Sequence, residues 1–188
     1  VLFRSRDVFS GVIYGAQTSL LVGFLSATVS VVIGVLVDAT AGYFGRRVDD
    51  ALMRVTEIFQ VMPRFFLALL IVAMFGASLW GTIFVIGILS WAEIARLVRS
   101  EVLTLRERPF VMAAKAYGAG DAYLIFREVL PNALTAVVGA AALQIPAAIV
   151  LEASLSFLGA GDPNAMSWGR MLNSSQPYMR QAWWTATF

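Results

Sequence analysis

The sequence contains no cysteine and no histidine among its 188 residues. Without cysteine there can be no disulfide bond and no thiol nucleophile, and the usual zinc sites lack their Cys and His ligands. The absence of histidine also removes the side chain that most often performs acid–base catalysis near neutral pH. These absences disfavour an enzyme that relies on reactive side chains.

Charge is scarce as well. Charged residues make up 14% of the chain and hydrophobic residues 59%, whereas soluble domains carry about 25% charged residues. A soluble core of this size could not bury so many apolar side chains, so the composition predicts an integral membrane protein with lipid around it. The net charge of +2 is small and the basic residues are scattered, so nucleic acid is not an expected partner.

The two ends of the chain are unusual. The sequence does not begin with methionine, and no short apolar segment with a cleavage site follows its start. Residues 1–5 read VLFRS, which a common sequencing adapter encodes when it is translated. We interpret residues 1–5 as such an artefact, and residues 6–188 as a single membrane domain that is truncated at both ends.

Four apolar stretches are candidates for membrane spans, since a bilayer core of about 30 Å requires about 20 apolar helical residues. They lie at about 11–37, 60–76, 80–98 and 132–158. The uncharged run between Arg64 and Glu93 is divided into two spans near Gly76, because a single crossing would place equally basic loops on opposite sides of the membrane. The sequence thus predicts an all-α integral membrane protein, a polytopic helical bundle.

The distribution of basic residues sets the predicted orientation. Segments 38–64 and 96–128 hold ten of the 14 Lys and Arg residues, which places both segments in the cytoplasm by the positive-inside rule. Within the first segment, apolar residues recur every three or four positions from Val48 to Ile58. This spacing predicts an amphipathic helix at the membrane surface that turns into the next span near Pro63.

The second cytoplasmic segment, about 99–131, predicts a helix, a tight turn and a second helix. Pro109 suits the first position of a helix, Gly118 can supply a left-handed stop, and Asp121 can cap the second helix. That second helix is expected to expose Tyr123, Phe126 and Leu130. Because these apolar side chains have no lipid to enter, a groove on a partner protein is expected to receive them.

This loop resembles the cytoplasmic EAA loop of ATP-binding-cassette import permeases. Ala113 and Ala114 match the alanine pair, Gly118 matches the glycine, and Leu130 with Pro131 match the L-P end, whereas Met112 replaces the motif's glutamate and the spacing before Leu130 also departs from it. Three further stretches resemble the dipeptide, oligopeptide and nickel branch of these permeases, in particular the second permease subunit. They are RDVFSGVIYGAQTSLLVG at 6–23, PNALTAVV at 131–138 and LEASLSFLGAG at 151–161.

The resemblance implies a type I importer permease in a bacterial or archaeal cytoplasmic membrane, with residues 99–131 as its coupling loop. The expected partners are a second permease subunit, two cytoplasmic ATPase subunits and an extracytoplasmic solute-binding protein. The residues expected to couple the chain to the ATPases are Ala113, Ala114, Gly118, Asp121, Leu130 and Pro131. No cofactor is expected in this chain, which lacks a GxxxxGK[ST] phosphate loop, so ATP and magnesium would be bound by the ATPases.

Three residues are candidates for the solute pathway: Gln144, Pro146 and Glu152. A proline inside a helix frees backbone groups at membrane depth, and acids within membranes are commonly functional. Glu152 can instead be bonded to Ser154, Ser156 or a neighbouring helix. The alternatives to an importer are an ion-coupled secondary transporter and a membrane enzyme or structural bundle. The solute, whether peptide, nickel or another small molecule, is left open.

Overall fold

The computed structural model describes residues 8–44 and 46–180, so the interpretation of residues 1–5 lies outside the described part. The α-helices are α1 (Val8–Phe44), α2 (Arg46–Val61), α3 (Arg64–Phe75), α4 (Leu79–Leu105), α5 (Pro109–Ala116), α6 (Asp121–Tyr123), α7 (Leu130–Phe157) and α8 (Trp168–Ser175). A π-helical segment, Leu124–Val129, lies between α6 and α7, and a 3-10 turn, Gln176–Tyr178, follows α8. The described residues are mostly helical and contain no β-strand, which confirms the all-α prediction.

Within the described residues, three helices are long and apolar enough to cross a membrane: α1 over Val8–Val37, α4, and the continuous helix Asp121–Phe157. A fourth crossing results if α2 and α3, which are bent at the break between them, form one broken span. Helix α3 alone has 12 residues, or about 18 Å. The expected span at 60–76 is therefore interrupted, because Pro63 lacks a backbone N–H and disfavours a helical Met62.

The break between α3 and α4 lies where the sequence predicts a turn. Gly76 has a φ of 91°, a left-handed conformation that glycine adopts without a steric penalty. Helix α4 then continues to Leu105, seven residues beyond the expected end at 98. The residues beyond 98 include Val102, which is 1% exposed, so apolar packing continues past the end that was expected for the membrane span.

The described residues form two compact units. The first comprises residues 8–26, 64–87 and 144–180. Its core contains Val22, Ile83, Ile86 and Ala148. The hydroxyl of Ser26 donates a 3.1 Å hydrogen bond to the Ile83 carbonyl, and a methyl group at Gly23 would lie 2.6 Å from Ile149 Cγ1. Small residues thus allow the helices of this unit to approach closely, as membrane helices commonly do.

The second unit comprises residues 27–63 and 88–143. Its core is centred on Ile94, Val98 and Val102 of α4, which pack with side chains of α1, α5 and α7. Helix α2 is held against α4 by polar and aromatic contacts. Asp49 accepts two 2.5 Å hydrogen bonds from the Arg99 guanidinium, and the rings of Phe59 and Trp91 meet edge to face at 5.4 Å.

Candidate coupling loop and pathway residues

Helix α5 has a defined start and a defined end. Pro109 occupies its first turn, and the preceding Arg108 has an extended backbone. At the other end Gly118 adopts a φ of 85°, and its N–H donates to the Lys115 carbonyl while the Ala119 N–H donates to the Ala114 carbonyl. These two hydrogen bonds make a Schellman motif. The predicted helix start at Pro109 and stop at Gly118 therefore both occur.

One face of α5 is attached to the core of the second unit. Val111 is only 3% exposed and packs in the cluster that contains Val98 and Leu124, and Ala114 is partly buried against the same cluster. Ala113 is exposed. The two alanines therefore lie in different surroundings. Ala114 is small enough for α5 to lie close to the core of the second unit, whereas Ala113 lies on the surface.

The second helix of the loop differs from the prediction at both ends. Gly120 occupies the N-cap position and Asp121 is the first helical residue, where a carboxylate still interacts favourably with the helix dipole. The helix does not end at Leu130 and Pro131, because Asp121–Phe157 is continuous. The π-helical turn at Leu124–Val129 ends two residues before Pro131, and such wide turns accommodate irregular hydrogen bonding within a helix. Helix α4 ends at Leu105 and α6 begins at Asp121, so the segment 99–131 contains parts of both, and its extent as a coupling loop stays a prediction.

The outer surface of the loop is rich in exposed apolar and aromatic side chains. Tyr117 is 93% exposed and Phe126 59% exposed. The other large members are Phe110, Met112 and Tyr123. Leu130, expected on the same face, is instead partly buried against the core cluster. We call the five exposed residues the elbow surface. An open groove beside it is lined by Ala114, Tyr117, Gly118, Ala119, Gly120, Tyr123 and Glu128.

The three candidate pathway residues all lie in α7. Gln144 and Glu152 are buried, whereas Pro146 is exposed on the helix surface. Glu152 Oε1 accepts a 2.6 Å hydrogen bond from the Ser156 hydroxyl one turn later. Ser154, the other serine expected to bind Glu152, donates to the Val150 carbonyl instead. A role of these residues in a solute pathway stays a prediction.

The sequence reasoning missed a polar connection between the turn after α7 and the start of α4. Asp162 Oδ2 accepts a 2.9 Å hydrogen bond from the Leu79 N–H, and Oδ1 accepts from the Asn164 N–H at 2.8 Å. These backbone donors hold the pKa of the Asp162 carboxyl below its usual value. The Asp162 side chain and the Leu79 backbone N–H are 83 positions apart in sequence, so no local pattern could have indicated the contact.

Two other residues of this segment have structural roles. The Arg170 guanidinium donates to the carbonyls of Asp162, Pro163 and Ala165 and so closes the turn. The Trp168 indole N–H donates a 3.0 Å hydrogen bond to the Val12 carbonyl, and the Trp168 backbone N–H donates to the Ser19 hydroxyl. The segment after α7 is thereby fixed to α1.

Comparison with known proteins places these features in a family. Residues 30–188 match the family model described as binding-protein-dependent transport system inner membrane component. Relatives include the dipeptide transport system permease protein DppC of Alkalihalophilus pseudofirmus, 40% identical over 97% of this chain, and the oligopeptide transport system permease protein OppC of Haemophilus influenzae, 36% identical over 97%. The chain spans 60% and 59% of the lengths of these two relatives.

Solved structures support the same fold. The MetNI methionine ABC transporter in an inward-facing conformation matches 97% of this chain and 88% of its own with a TM-score of 0.75 at 19% sequence identity. A chain of an amino acid ABC transporter matches 94% of this chain with a TM-score of 0.63. The fold is therefore the helical bundle of an importer permease, as predicted. This multi-pass membrane chain belongs to the family of binding-protein-dependent transport system inner membrane components.

Proposed function

We propose that the chain forms most of a permease subunit in an ATP-driven importer that receives its solute, a peptide, from an extracytoplasmic binding protein. The family match and the peptide permeases among the relatives support this function. The membrane is the bacterial or archaeal cytoplasmic membrane. The chain itself does not hydrolyse ATP, and ATP with magnesium is bound by two separate ATPase subunits.

The observation that carries the proposal is the elbow surface on a firmly anchored loop. Val111, Leu124 and Val129 are buried in the core, so the loop has a fixed position, while Phe110, Met112 and Tyr117 remain exposed. Exposed aromatic side chains on a rigid support are typical of protein-binding sites. Each ATPase would receive one such loop, one from this chain and one from a second permease subunit.

The proposal is tested by placing a positive charge in the aromatic elbow surface without disturbing the fold. Tyr117→Arg replaces a side chain that is almost fully exposed, so the chain should fold normally and lose the ATPase. The matched control is Asn164→Arg, at an exposed position in the turn after α7. The full chain is purified with its second permease and ATPase subunits, and the amount of ATPase that co-purifies is measured.

We expect Tyr117→Arg to reduce ATPase recovery at least about tenfold, as the loss of an interface hot spot does. Asn164→Arg should retain it. Equal recovery for both variants would contradict the proposed docking surface.

The alternative function is ion-coupled secondary transport. Such transporters use broken helices and coupling residues near the membrane midplane. Proteoliposomes containing the complete assembly separate the two functions, because uptake by the importer requires ATP inside and the binding protein outside. Solute uptake driven by an ion gradient, without ATP or either partner, would overturn the proposal.

A further inference from the structure

Glu152 presents an unusual electrostatic situation in the first unit. Its side chain is 4% exposed, and only Oε1 has a hydrogen-bond donor, the Ser156 hydroxyl. Among the described residues, Glu152 Oε2 is one of two buried side-chain polar atoms without a hydrogen-bond partner. A buried carboxylate is costly unless a counter-charge or further donors compensate it, and one hydroxyl supplies neither a charge nor a second donor.

Glu152 lines a small polar cavity. Its polar lining residues are Thr18, Thr82, Glu152, Ser156, Asp162 and Ser167. They come from α1, α4, α7 and the turn before α8, so the cavity lies where these elements meet. The space has room for about one water-sized sphere. No basic residue belongs to this lining, so no arginine or lysine of the described chain provides a counter-charge within it.

The charge of the second acid in the lining is already compensated. Asp162 accepts hydrogen bonds from two backbone N–H groups through separate carboxylate oxygens, and the Arg170 guanidinium lies against the same turn, bonded to the Asp162 carbonyl. The Glu152 carboxylate, in contrast, has neither a donor at Oε2 nor a counter-charge in this lining. A divalent ion would carry one positive charge more than the Glu152 carboxylate balances, and magnesium would in addition need room for several retained waters.

We propose that this cavity binds one monovalent cation of the size of sodium, with Glu152 as its charged ligand. The hydroxyl oxygens of the lining supply neutral ligands, which suit a hard cation. Ser156 is a positioning residue that holds the carboxylate through Oε1. The bound cation joins α1, α4, α7 and the turn after α7. Its role is structural, so it is not transported and does not drive transport.

The test uses the stability of the full chain, since a ligand that binds only the folded state raises its unfolding temperature with a saturable dependence on concentration. Thermal unfolding in detergent is followed as sodium chloride replaces N-methyl-D-glucamine chloride at constant ionic strength. The unfolding temperature should rise and then reach a plateau with sodium, and should rise less with caesium because the larger ion does not fit. The proposal would be overturned if caesium raised the unfolding temperature as much as sodium, or if sodium did not raise it above the value in N-methyl-D-glucamine.

Variants assign the response to the site. Glu152→Gln should remove the sodium response, and Ser156→Ala should raise the sodium concentration at half-saturation by about tenfold or more, as loss of a residue that orients a metal ligand does. Glu107→Gln, at an exposed acid, is the matched control and should respond like the unmodified chain. A sodium response that persists in Glu152→Gln would overturn the proposal.

If Glu152→Gln does not fold, Glu152→Asp replaces it. The shorter carboxylate keeps the charge, so half-saturation should shift to higher sodium while the plateau remains. A chain that is stable without any cation dependence would show that a water molecule or a proton compensates Glu152 instead, and would also overturn the cation site. Neither result depends on ATPase docking, so the site and the proposed transport function can fail separately.

Discussion

Single glycines determine two close or unusual conformations in this chain. Gly118 needs its left-handed backbone to close the Schellman motif, and a methyl group there would meet no atom within 4 Å. Gly169 has the opposite requirement, since a methyl group there would lie 2.4 Å from the Ala153 carbonyl oxygen. Gly118 is therefore required because of its backbone dihedral angle, and Gly169 is required because a side chain would not fit against α7.

Replacing Gly118 by alanine should destabilise the chain by about 1–2 kcal/mol, because L-residues pay this cost for a left-handed backbone. Gly120→Ala is the matched control, since Gly120 has an extended backbone with a φ of −73° and equally open space. Thermal unfolding of both variants in detergent measures the difference. If Gly120→Ala were as destabilising as Gly118→Ala, the left-handed conformation would not be the cause.

Gly169→Ala should destabilise the packing of α8 on α7 by about 1–3 kcal/mol, the usual cost of overpacking. The clash involves backbone atoms of Ala153, which cannot rotate away as a side chain could. Gly139→Ala, in α7 with nothing within 4 Å, should leave stability unchanged or raise it because alanine favours helices. The unfolding temperatures of the two variants should change in different directions or by clearly different amounts.

Some of this residue-level detail could be predicted from the sequence. Pro109 and Gly118 act through their own backbone preferences, so their positions in the chain were sufficient to place the ends of α5. The sequence predicted Asp121 as the N-cap of the second helix because aspartate is a preferred N-cap residue, but Gly120 occupies the N-cap position. The polar cavity could not be predicted, because residues as distant in sequence as Thr18 and Ser167 line it together.

At the level of elements, α2 is attached to α4 by a few specific contacts. The Asp49–Arg99 ion pair is bidentate, and Gln60 donates a 2.9 Å hydrogen bond to the Ala92 carbonyl. The exposed residues of α2 include Val48, Val55 and Ile58, which belong to the apolar positions of the amphipathic pattern. Local periodicity thus predicted the helix itself, but not which residue of α4 would hold it, and its place at the membrane surface stays a prediction.

The ion pair should contribute roughly 1–2 kcal/mol of coupling, which lies within the range of about 0.5–3 kcal/mol found for residues in contact. A double-mutant cycle of Asp49→Asn and Arg99→Gln measures this coupling by thermal unfolding. Arg99→Lys should restore little of it, because lysine cannot donate in a bidentate manner to a carboxylate. Additive effects of the two single substitutions would show that the pair does not hold α2 in place.

The turn after α7 should respond to pH through Asp162. Backbone N–H groups lower the pKa of this carboxyl in the folded state, so the folded state binds a proton less readily than the unfolded one. The resulting stability is fully present above the unfolded pKa of about 4 and is lost as the pH falls through the lower folded value. Asp162→Asn should flatten this part of the stability profile between about pH 5 and pH 2. An unchanged profile would contradict the assignment.

At the level of the whole molecule, the distribution of basic residues and the fold make a joint prediction. The positive-inside rule places Lys115 of α5 in the cytoplasm and Asn164, in the turn after α7, on the other side. Because the chain contains no cysteine, single cysteines can be introduced without first removing others. A membrane-impermeant thiol reagent added to intact cells should label Asn164→Cys and not Lys115→Cys.

The opposite labelling pattern would contradict both the orientation and the proposed ATPase docking. The comparison is well matched, since both positions are exposed. Labelling after the cells are opened serves as the positive control for Lys115→Cys.

The all-helical membrane fold could be predicted because hydrophobicity and charge act over whole segments. The lengths of individual helices were less predictable than the fold. Val102 is buried where α4 continues past residue 98, and the membrane boundaries of the spans stay predictions. Likewise Pro131 was taken as a boundary, although the π-helical turn before it lets the helix pass through. Side-chain packing accounts for the first case and local hydrogen bonding for the second, and sequence composition reports neither.

The uninterrupted helix from Asp121 to Phe157 is longer than a membrane crossing requires. Its 37 residues measure about 55 Å at 1.5 Å per residue, whereas a bilayer core is about 30 Å thick. The first turns, which carry Tyr123 and Phe126, can therefore extend out of the lipid as part of the same helix. A partner protein that contacts these two side chains would bind directly to the helix that enters the membrane.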